Sequence, residues 1–202
     1  MYKKILIIGL IWPEPEATAA GTRMMQLINF FLQQDYELHF ACASSESDMS
    51  FNLEDLDIHC FSIELNHSNF DTQISKIKPD IVLFDRFLTE EQYGWRVQET
   101  CPEALKILDT EDLHFLRKAR EIALQKDQPD YLDYIQNDIS RREIASIYRC
   151  DISLIISKYE SSLLKNYFHI SPSLLFYLPI LNINYSTNDL IGLPTFDDRK
   201  HF

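Results

Sequence analysis

The sequence predicts an α/β fold: a doubly wound, mostly parallel sheet of about seven strands with helices on both faces. Short apolar segments alternate with helix-patterned segments along the chain, which is typical of a parallel sheet. The first segment, Ile5–Trp12, is an unbroken apolar run, as expected of a strand that is buried on both faces. The chain has 202 residues, 46% of them hydrophobic, which is enough for a substantial core.

The strands follow from short apolar runs and the helices from apolar residues three or four positions apart. The third strand alternates apolar and polar residues, so we expect it near an edge of the sheet. The predicted strands are Ile5–Trp12, Tyr36–Cys42, Asp57–Ile63, Asp80–Asp85, Ala104–Asp109, Asp151–Ile156 and Ser173–Leu178. The predicted helices are Thr22–Gln34, Phe70–Ile77, Thr89–Cys101, a segment over 113–124, Leu132–Cys150 and Lys158–Phe168.

Breaks in these patterns set the boundaries. Pro79 and Pro102 end two helices, and the Gln128-Pro129-Asp130 turn separates two others. From Asn182 to Phe202 the periodic pattern fails. We therefore expect one domain over residues 1–181, followed by an irregular tail or linker over residues 182–202.

The overall composition disfavours several classes of protein. The net charge is −12, with 31 acidic and 19 basic residues, whereas nucleic-acid binding calls for a basic surface. The four cysteines form no CxxC pair, which favours free thiols in a reducing compartment over a metal site. We see neither a signal peptide nor the roughly 20 apolar residues of a membrane span. We expect a soluble cytoplasmic protein that needs no metal or cofactor.

The fold predicts where a ligand would bind. In an open α/β sheet, ligands bind beyond the carboxyl ends of the strands, where the strand order reverses. If the order runs outward from the first strand, that point lies between the first and fourth strands. Three segments would then converge on one crevice: Trp12–Gly21, Asp85–Phe87 and Asp109–His114.

The first of these segments contains five small residues, Ala17–Gly21, before a helix. Such a loop lets a ligand approach the backbone N–H groups at the positive end of the helix, where phosphate or carboxylate binds well. Gly21 and Thr22 are candidate binding residues, and Arg23 could add a fork of donors. Alternatively, the small residues serve only to pack the helix on the sheet.

The other two segments carry charged side chains. Asp85 and Arg86 end the fourth strand and are interpreted as a clamp for an anion or a hydroxyl, or as a simple salt bridge. After the fifth strand, Glu111 is a candidate for acceptor binding. Asp112 and His114 are candidates for catalysis, because either could accept a proton from a sugar or alcohol hydroxyl, or orient it. Alternatively, Thr110 or Asp109 is the N-cap of a helix, and the helix dipole favours Glu111 and Asp112 in the first turn.

A polar pair also follows the sixth strand. Ser157 and Glu160 have the spacing of a capping box at the start of a helix. We therefore assign them to helix capping rather than to the crevice.

Well-known ligand and catalytic motifs are missing. The chain has four glycines and neither a GxGxxG nor a P-loop sequence. It has no GxSxG hydrolase motif. The first strand ends in Leu10-Ile11-Trp12, so it lacks the acidic pair of a phospho-receiver domain.

Several segments in the same order resemble the N-terminal domain of a two-domain (GT-B) glycosyltransferase of the large family-four kind. They are KKILIIGLIWPEPEATAAGTRMMQLINFF, KPDIVLFDRF, ILDTEDLH, CDISLIISKYESSLL and YLPIL, and they run through nearly the whole chain. Two features depart from the family. The histidine that often precedes an aspartate after the fifth strand is displaced to His114, and Gly21 stands where a Gly-Gly pair is common.

The resemblance implies a Rossmann-like acceptor-binding domain over 1–181 and a retaining transfer of a sugar from a nucleotide-sugar donor to an acceptor hydroxyl. In such enzymes the loop after the first strand, here Ala17–Arg23, closes on the phosphate side of the donor. A C-terminal domain carries the nucleotide-binding residues, including a Glu-x7-Glu motif. We therefore expect the donor to be bound mainly by a missing domain, and negligible turnover by this chain alone.

Two other classes of function stay open. The chain could be a non-catalytic α/β binding or interaction module, which would leave an apolar patch on the crevice rim. It could also be another small-ligand α/β enzyme that is complete in 202 residues. Homo-oligomers could form through the interdomain face that a missing domain leaves uncovered.

Overall fold

A computed structural model describes residues 3–128 and 130–180. They form one sheet of seven strands in the order β3-β2-β1-β4-β5-β6-β7, and every pair of neighbouring strands is parallel. The strands are β1 (Lys4–Gly9), β2 (Glu37–Cys42), β3 (His59–Ser62), β4 (Ile81–Asp85), β5 (Leu105–Asp109), β6 (Ile152–Ile155) and β7 (Leu175–Tyr177). The predicted fold class is confirmed, and β3 lies at an edge as expected. The tail expected over 182–202 lies outside the described residues.

Six helices connect the strands. They are α1 (Ala19–Gln33), α2 (Asn69–Ile77), α3 (Arg86–Thr100), α4 (His114–Gln125), α5 (Asp138–Arg149) and α6 (Lys158–Asn166). Each predicted helix is present, and most boundaries agree within about three residues, which is ordinary for sequence-based limits.

The predicted start of α5 was wrong. The apolar residues from Leu132 onward form a short 3-10 turn, and Asn137 then begins a new helix. Asn137 Oδ1 accepts the N–H of Ser140 at 3.0 Å, and Ser140 Oγ accepts the N–H of Asn137 at 2.9 Å. This reciprocal cap satisfies two backbone donors at the new N-terminus, so the helix begins at Asp138.

The first strand is also shorter than predicted, because it ends at Gly9. Trp12 leaves the strand direction and packs on Phe40, with ring centroids 5.3 Å apart. The indole Nε1 donates to the carbonyl of Ser44 at 2.8 Å. The apolar run therefore continues past the strand into a buried turn, which hydrophobicity alone does not distinguish from strand.

The two faces of the sheet are covered unequally. Successive strand residues point to opposite faces. Ile5 and Ile7 pack with α1, whereas Leu6 and Ile8 belong to a core with side chains of the other five helices. The β5–β7 part of the α1 face, which we call the β5–β7 face, leaves Leu105 37% and Phe176 55% exposed.

The strand order reverses beside β1. This strand pairs with β2 on one side and with β4 on the other. The predicted crevice between the carboxyl ends of β1 and β4 is thus present in the topology.

Candidate functional site

Hydrogen bonds and ion pairs join residues from three parts of the chain at the carboxyl edge of the sheet. The N–H of Leu10, after β1, donates to Asp85 Oδ2 at the end of β4, at 3.0 Å. Arg86 Nη2 lies 3.5 Å from Glu111 Oε2, after β5. Arg23 of α1 binds Asp109 at the end of β5. The segments Asp85–Phe87 and Asp109–His114 therefore meet as predicted. Leu10 and Arg23, which lie on either side of the first segment, contact them.

Asp85 is the most buried acid at the β1–β4 boundary, with 4% of its surface exposed. Its Oδ1 lies 3.5 Å from Arg86 Nε but has no hydrogen-bond partner among the described residues. Burial raises the pKa of the Asp85 carboxyl, and the charge of Arg86 and the Leu10 N–H oppose that rise. Asp85 thus offers one unused acceptor oxygen beside a cation.

Glu111 has a second carboxylate oxygen without a partner in the described part of the chain. Its Oε1 has no hydrogen-bond partner within the described ranges. The pKa of Glu111 is raised to about 7, chiefly by burial; the charge of Arg86 opposes the rise, and those of Asp85 and Asp109 add to it. Near neutral pH this carboxyl can therefore either accept or release a proton.

The backbone around these groups is unusual. Arg86 has φ 69° and Glu111 has φ 62°, so both lie in the left-handed region without being glycine. Such conformations cost free energy and persist where surrounding contacts hold them, often at functional sites. The two strained residues face each other across the Arg86–Glu111 ion pair.

Arg23 has a different environment from the one predicted. Its Nε and Nη2 donate to the Asp109 carboxylate at 2.8–3.0 Å. Its Nη1 donates to the carbonyls of Leu178 at 3.2 Å and Pro179 at 3.4 Å, just after β7. We call this arrangement the Arg23 clasp. All three guanidinium nitrogens are engaged within the protein, so ligand binding by Arg23 stays a prediction.

Gly21 and Thr22 make contacts within the first loop. The Gly21 N–H donates to Thr18 Oγ1 at 2.9 Å, which caps α1. Thr22 Oγ1 donates to the Pro15 carbonyl at 2.8 Å. A Cβ on Gly21 would overlap the backbone of Glu14. These contacts agree with the packing alternative, and the binding role of both residues stays a prediction.

Asp112 and His114 lie together at the start of α4. Asp112 Oδ1 is 3.5 Å from His114 Nε2, and its Oδ2 is 3.4 Å from Arg117 Nη1. The His114 ring meets Phe87 edge-on at 5.4 Å, beside Arg86 in sequence. Burial lowers the pKa of His114, and the charge of Asp112 opposes that change. The imidazole is thus favoured in its neutral form, which can accept a proton.

The N-terminus of α4 is capped by carboxylates from other helices. The N-cap residue is Leu113, so the expectation that Thr110 or its predecessor caps this helix was wrong. Glu160 of α6 accepts the Leu113 N–H at 3.1 Å. Glu143 of α5 accepts the N–H of His114 at 3.2 Å and of Phe115 at 3.1 Å, one with each oxygen.

The predicted N-cap of α6 by Ser157 is confirmed, whereas the capping box is only half formed, because no hydrogen bond from the Ser157 N–H to Glu160 is present among the described residues. Ser157 Oγ accepts the Glu160 N–H at 3.1 Å and donates to Glu160 Oε2 at 3.0 Å. The sequence missed the second role of Glu160, and it missed Glu143 entirely. The only signal for Glu143 was an acid within the apolar pattern of a helix.

Residues 3–128 and 130–180 contain no group of three His, Cys, Asp or Glu side chains that is placed to hold a metal ion. No helix in that part of the chain combines the length and apolar composition needed to cross a membrane. The four cysteines are unpaired.

Comparisons with known proteins show the fold. No protein-family model matches the sequence, and no curated protein sequence matches it. The chain is similar to the solved sucrose-phosphate synthase from Thermosynechococcus elongatus (TM-score 0.61, 12% identity, 88% of this chain and 48% of that one). It is similar to a protein described as a UDP-N-acetylglucosamine 2-epimerase from Listeria monocytogenes (TM-score 0.54, 14% identity, 87% and 44%).

A third similar structure is an alpha-glucosyltransferase in complex with UDP and a 13-mer DNA (TM-score 0.50, 13% identity, 87% of this chain and 42% of that one). The chain thus spans less than half the length of each of these solved proteins. The seven parallel strands and six α-helices of the described residues form the Rossmann-like α/β fold that is found in solved GT-B glycosyltransferases.

Proposed function

We propose that this chain is the N-terminal, acceptor-binding half of a retaining GT-B glycosyltransferase, which moves a sugar from a nucleotide-sugar donor to an acceptor hydroxyl. One observation carries the proposal. At the reversal of strand order, Asp85 Oδ1 and Glu111 Oε1 lack hydrogen-bond partners among the described residues, and Arg86 lies beside both carboxylates.

The chemistry of these groups favours a ligand that is rich in hydroxyls. A buried acceptor without a partner costs about 1–3 kcal/mol, so a ligand that donates to it gains affinity. Sugar hydroxyls can donate to both carboxylates and accept from Arg86. A phosphate group would instead be repelled by the carboxylates, and the clasp already uses the donors of Arg23.

We assign the predicted catalytic roles to Asp112 and His114. A neutral imidazole can accept a proton from an acceptor hydroxyl or orient that hydroxyl. Asp112, 3.5 Å away, would stabilise the imidazolium that forms. Gly21 and Thr22 are proposed to shape the side of the crevice nearest the donor phosphate.

The donor is proposed to bind mainly through a second domain. The chain spans 48% or less of the solved proteins that it resembles, and one of those proteins was solved in complex with UDP. The chain alone should therefore show negligible turnover. We also propose that the reaction needs no metal or cofactor. Its unpaired cysteines and its net charge of −12 agree with a cytoplasmic protein that does not bind nucleic acid.

The first test is binding of an acceptor sugar. We would screen the 202-residue chain against a panel of mono- and disaccharides by ligand-observed NMR. Asp85→Asn and Glu111→Gln should each weaken the binding of any hit about tenfold, since each removes a charged acceptor. Lys118→Ala, which alters an exposed pair with Glu121, is the control. Unchanged affinity in both crevice variants would exclude this site as the acceptor site.

The second test is turnover. In an enzyme that includes the donor domain, Asp112→Ala or His114→Ala should lower the rate of sugar transfer about 100-fold or more, which is the usual contribution of a general base. Circular dichroism should show an intact fold. If the rates do not change, neither residue belongs to the reacting site. Sugar transfer by residues 1–202 alone at ordinary enzyme rates would contradict the division into two domains.

One observation favours a second candidate, a non-catalytic interaction module. Leu105 and Phe176 on the β5–β7 face are exposed large apolar side chains, and such patches often mark protein contacts. The same face could support the homo-oligomer considered above. Sedimentation of the chain with and without Phe176→Ser distinguishes an oligomer that forms through this face from a monomer.

A further inference from the structure

Helix α4 begins without a capping side chain of its own. Its N-cap residue is Leu113, whose side chain can accept no hydrogen bond. The free N–H groups of a first turn need acceptors when they are buried. Here Glu143 and Glu160 supply them from α5 and α6, and both carboxylates are buried. Three helices are therefore tied together at one helix end.

Burying a glutamate at position 143 costs free energy. It is fully buried, and removing a carboxyl from water is costly unless hydrogen bonds compensate. Its only hydrogen bonds among the described residues are the two from His114 and Phe115. An apolar side chain of similar length would fill the space without that cost. The contacts of Glu143 are thus directed at the backbone that carries the candidate catalytic residues.

We propose that Glu143 is a positioning residue, whose two hydrogen bonds to the first turn of α4 hold His114 and Asp112 at the rim of the crevice. Glu160 supports the same turn through Leu113. The inference rests on the proposed function for one point only, namely that the crevice binds a ligand on which His114 and Asp112 act. The positioning itself is a property of the unliganded chain.

The charges around Glu143 make the anchor sensitive to pH. The pKa of Glu143 is raised to about 8, chiefly by burial; the two N–H donors oppose the rise, and the charges of Asp112 and Glu160 add to it. His114 also faces it from α4, and α3 packs on α5 through the Glu90–Arg149 and Glu91–Arg142 pairs. The ionised carboxylate has two free acceptors, whereas the protonated acid has one good acceptor. The anchor should therefore tighten as pH rises through this range.

The test compares variants by NMR without a ligand. Glu143→Met removes both acceptors, and the amides of His114 and Phe115 should exchange with solvent about tenfold faster or more. The pKa of the His114 imidazole should rise toward its ordinary value, because the ring loses its half-buried place against Phe87. Glu143→Gln keeps one acceptor and should restore protection at one of the two amides.

Glu90→Met is the matched control. It removes another buried carboxylate, one that pairs with Arg149 and has no hydrogen bond or ion pair to α4 among the described residues. It should leave the His114 imidazole pKa as in the wild type. A folded Glu143→Met protein whose His114 imidazole titrates as in the wild type would overturn the proposal.

A wild-type titration keeps the proposal testable if Glu143→Met does not fold. The His114 and Phe115 amide shifts and the His114 ring shifts should follow the Glu143 carboxyl carbon, with a midpoint near 8. Ring signals that show no step at that midpoint would overturn the proposal. If the variants displace His114 but leave the rate of sugar transfer unchanged in an enzyme that includes the donor domain, the positioning role stands and the proposed role of His114 fails.

Discussion

Arg23 and Arg86 are both directed at the carboxyl edge of the sheet, but their surroundings differ. Arg23 is 3% exposed and uses all three nitrogens within the protein. The closest acidic contacts of Arg86 are at 3.5 Å, to Asp85 and Glu111. Longer contacts are weaker and easier to replace. Arg86 is therefore held less tightly than Arg23, and ligand binding by either arginine stays a prediction.

Replacing Arg23 tests this distinction. Arg23→Met leaves the fully buried Asp109 without its partner, and breaking a buried ion pair from one side typically costs about 3–5 kcal/mol. We expect a loss of that size in the free energy of unfolding, measured by urea denaturation. Lys118→Ala breaks an exposed pair and should cost less than about 1 kcal/mol. Equal losses of unfolding free energy in the two variants would contradict the claim that the Arg23 clasp is a buried, stabilising contact.

The sequence predicted which residues reach the crevice better than it predicted their partners. Asp85 and Glu111 follow directly from the ends of apolar strands. The partner of Arg23 lies 86 residues away and that of the His114 N–H lies 29 residues away, and no local pattern records such pairs. Sequence periodicity reports which face a residue occupies, whereas these pairings depend on how distant elements meet.

At the level of elements, the first loop and α1 are fitted to each other closely. Thr18 caps the helix, and Gly21 lies directly against the Glu14 backbone. Hydrophobic patterning predicted the helix but began it at Thr22 rather than Ala19. The early start depends on Thr18 as an N-cap, which polar capping residues favour and apolar periodicity does not register.

Gly21→Ala tests that fit. The added Cβ would meet the backbone of Glu14, which cannot move without shifting the loop, and we expect a loss of about 1–3 kcal/mol in unfolding free energy, as for overpacking. The matched control is Gly94→Ala in α3, where the nearest atom is the side-chain Oε1 of Glu90 at 2.5 Å. The helix preference for alanine partly offsets that contact. A larger loss from Gly94→Ala would contradict the argument, with thermal unfolding as the measurement.

At the level of the whole molecule, buried acids should make stability depend on pH in an unusual direction. Burial raises the pKa of Glu143 to about 8 and that of Glu111 to about 7, above their ordinary values in an unfolded chain. At a pH between the pKa of such a carboxyl in the unfolded chain and its pKa in the native protein, the native state holds a proton that the unfolded state releases. Each such group therefore makes the folded state less stable as pH rises, by up to about 1.4 kcal/mol per pH unit.

Comparing the wild type with Glu143→Gln at several pH values isolates the contribution of Glu143 to the pH dependence of stability. Glu143→Gln removes that titration, so the wild type should lose stability relative to the variant as pH rises from about 5.5 to 7.5, with the slope given above. Urea denaturation at several pH values measures both curves. Parallel curves would show that the Glu143 carboxyl is not protonated in the native state over this range.

The Arg23 clasp connects the second element of the chain to the residues just after the last strand, 155 positions later. A ribosome releases these partners at very different times, so α1 can dock on β1 long before the Leu178 carbonyl exists. Until then Arg23 Nη1 lacks its two carbonyl acceptors, whereas Asp109 is already bound by the other two guanidinium nitrogens. Completion of this contact is thus an event of late synthesis, and it brings the chain after β7 back beside the first helix.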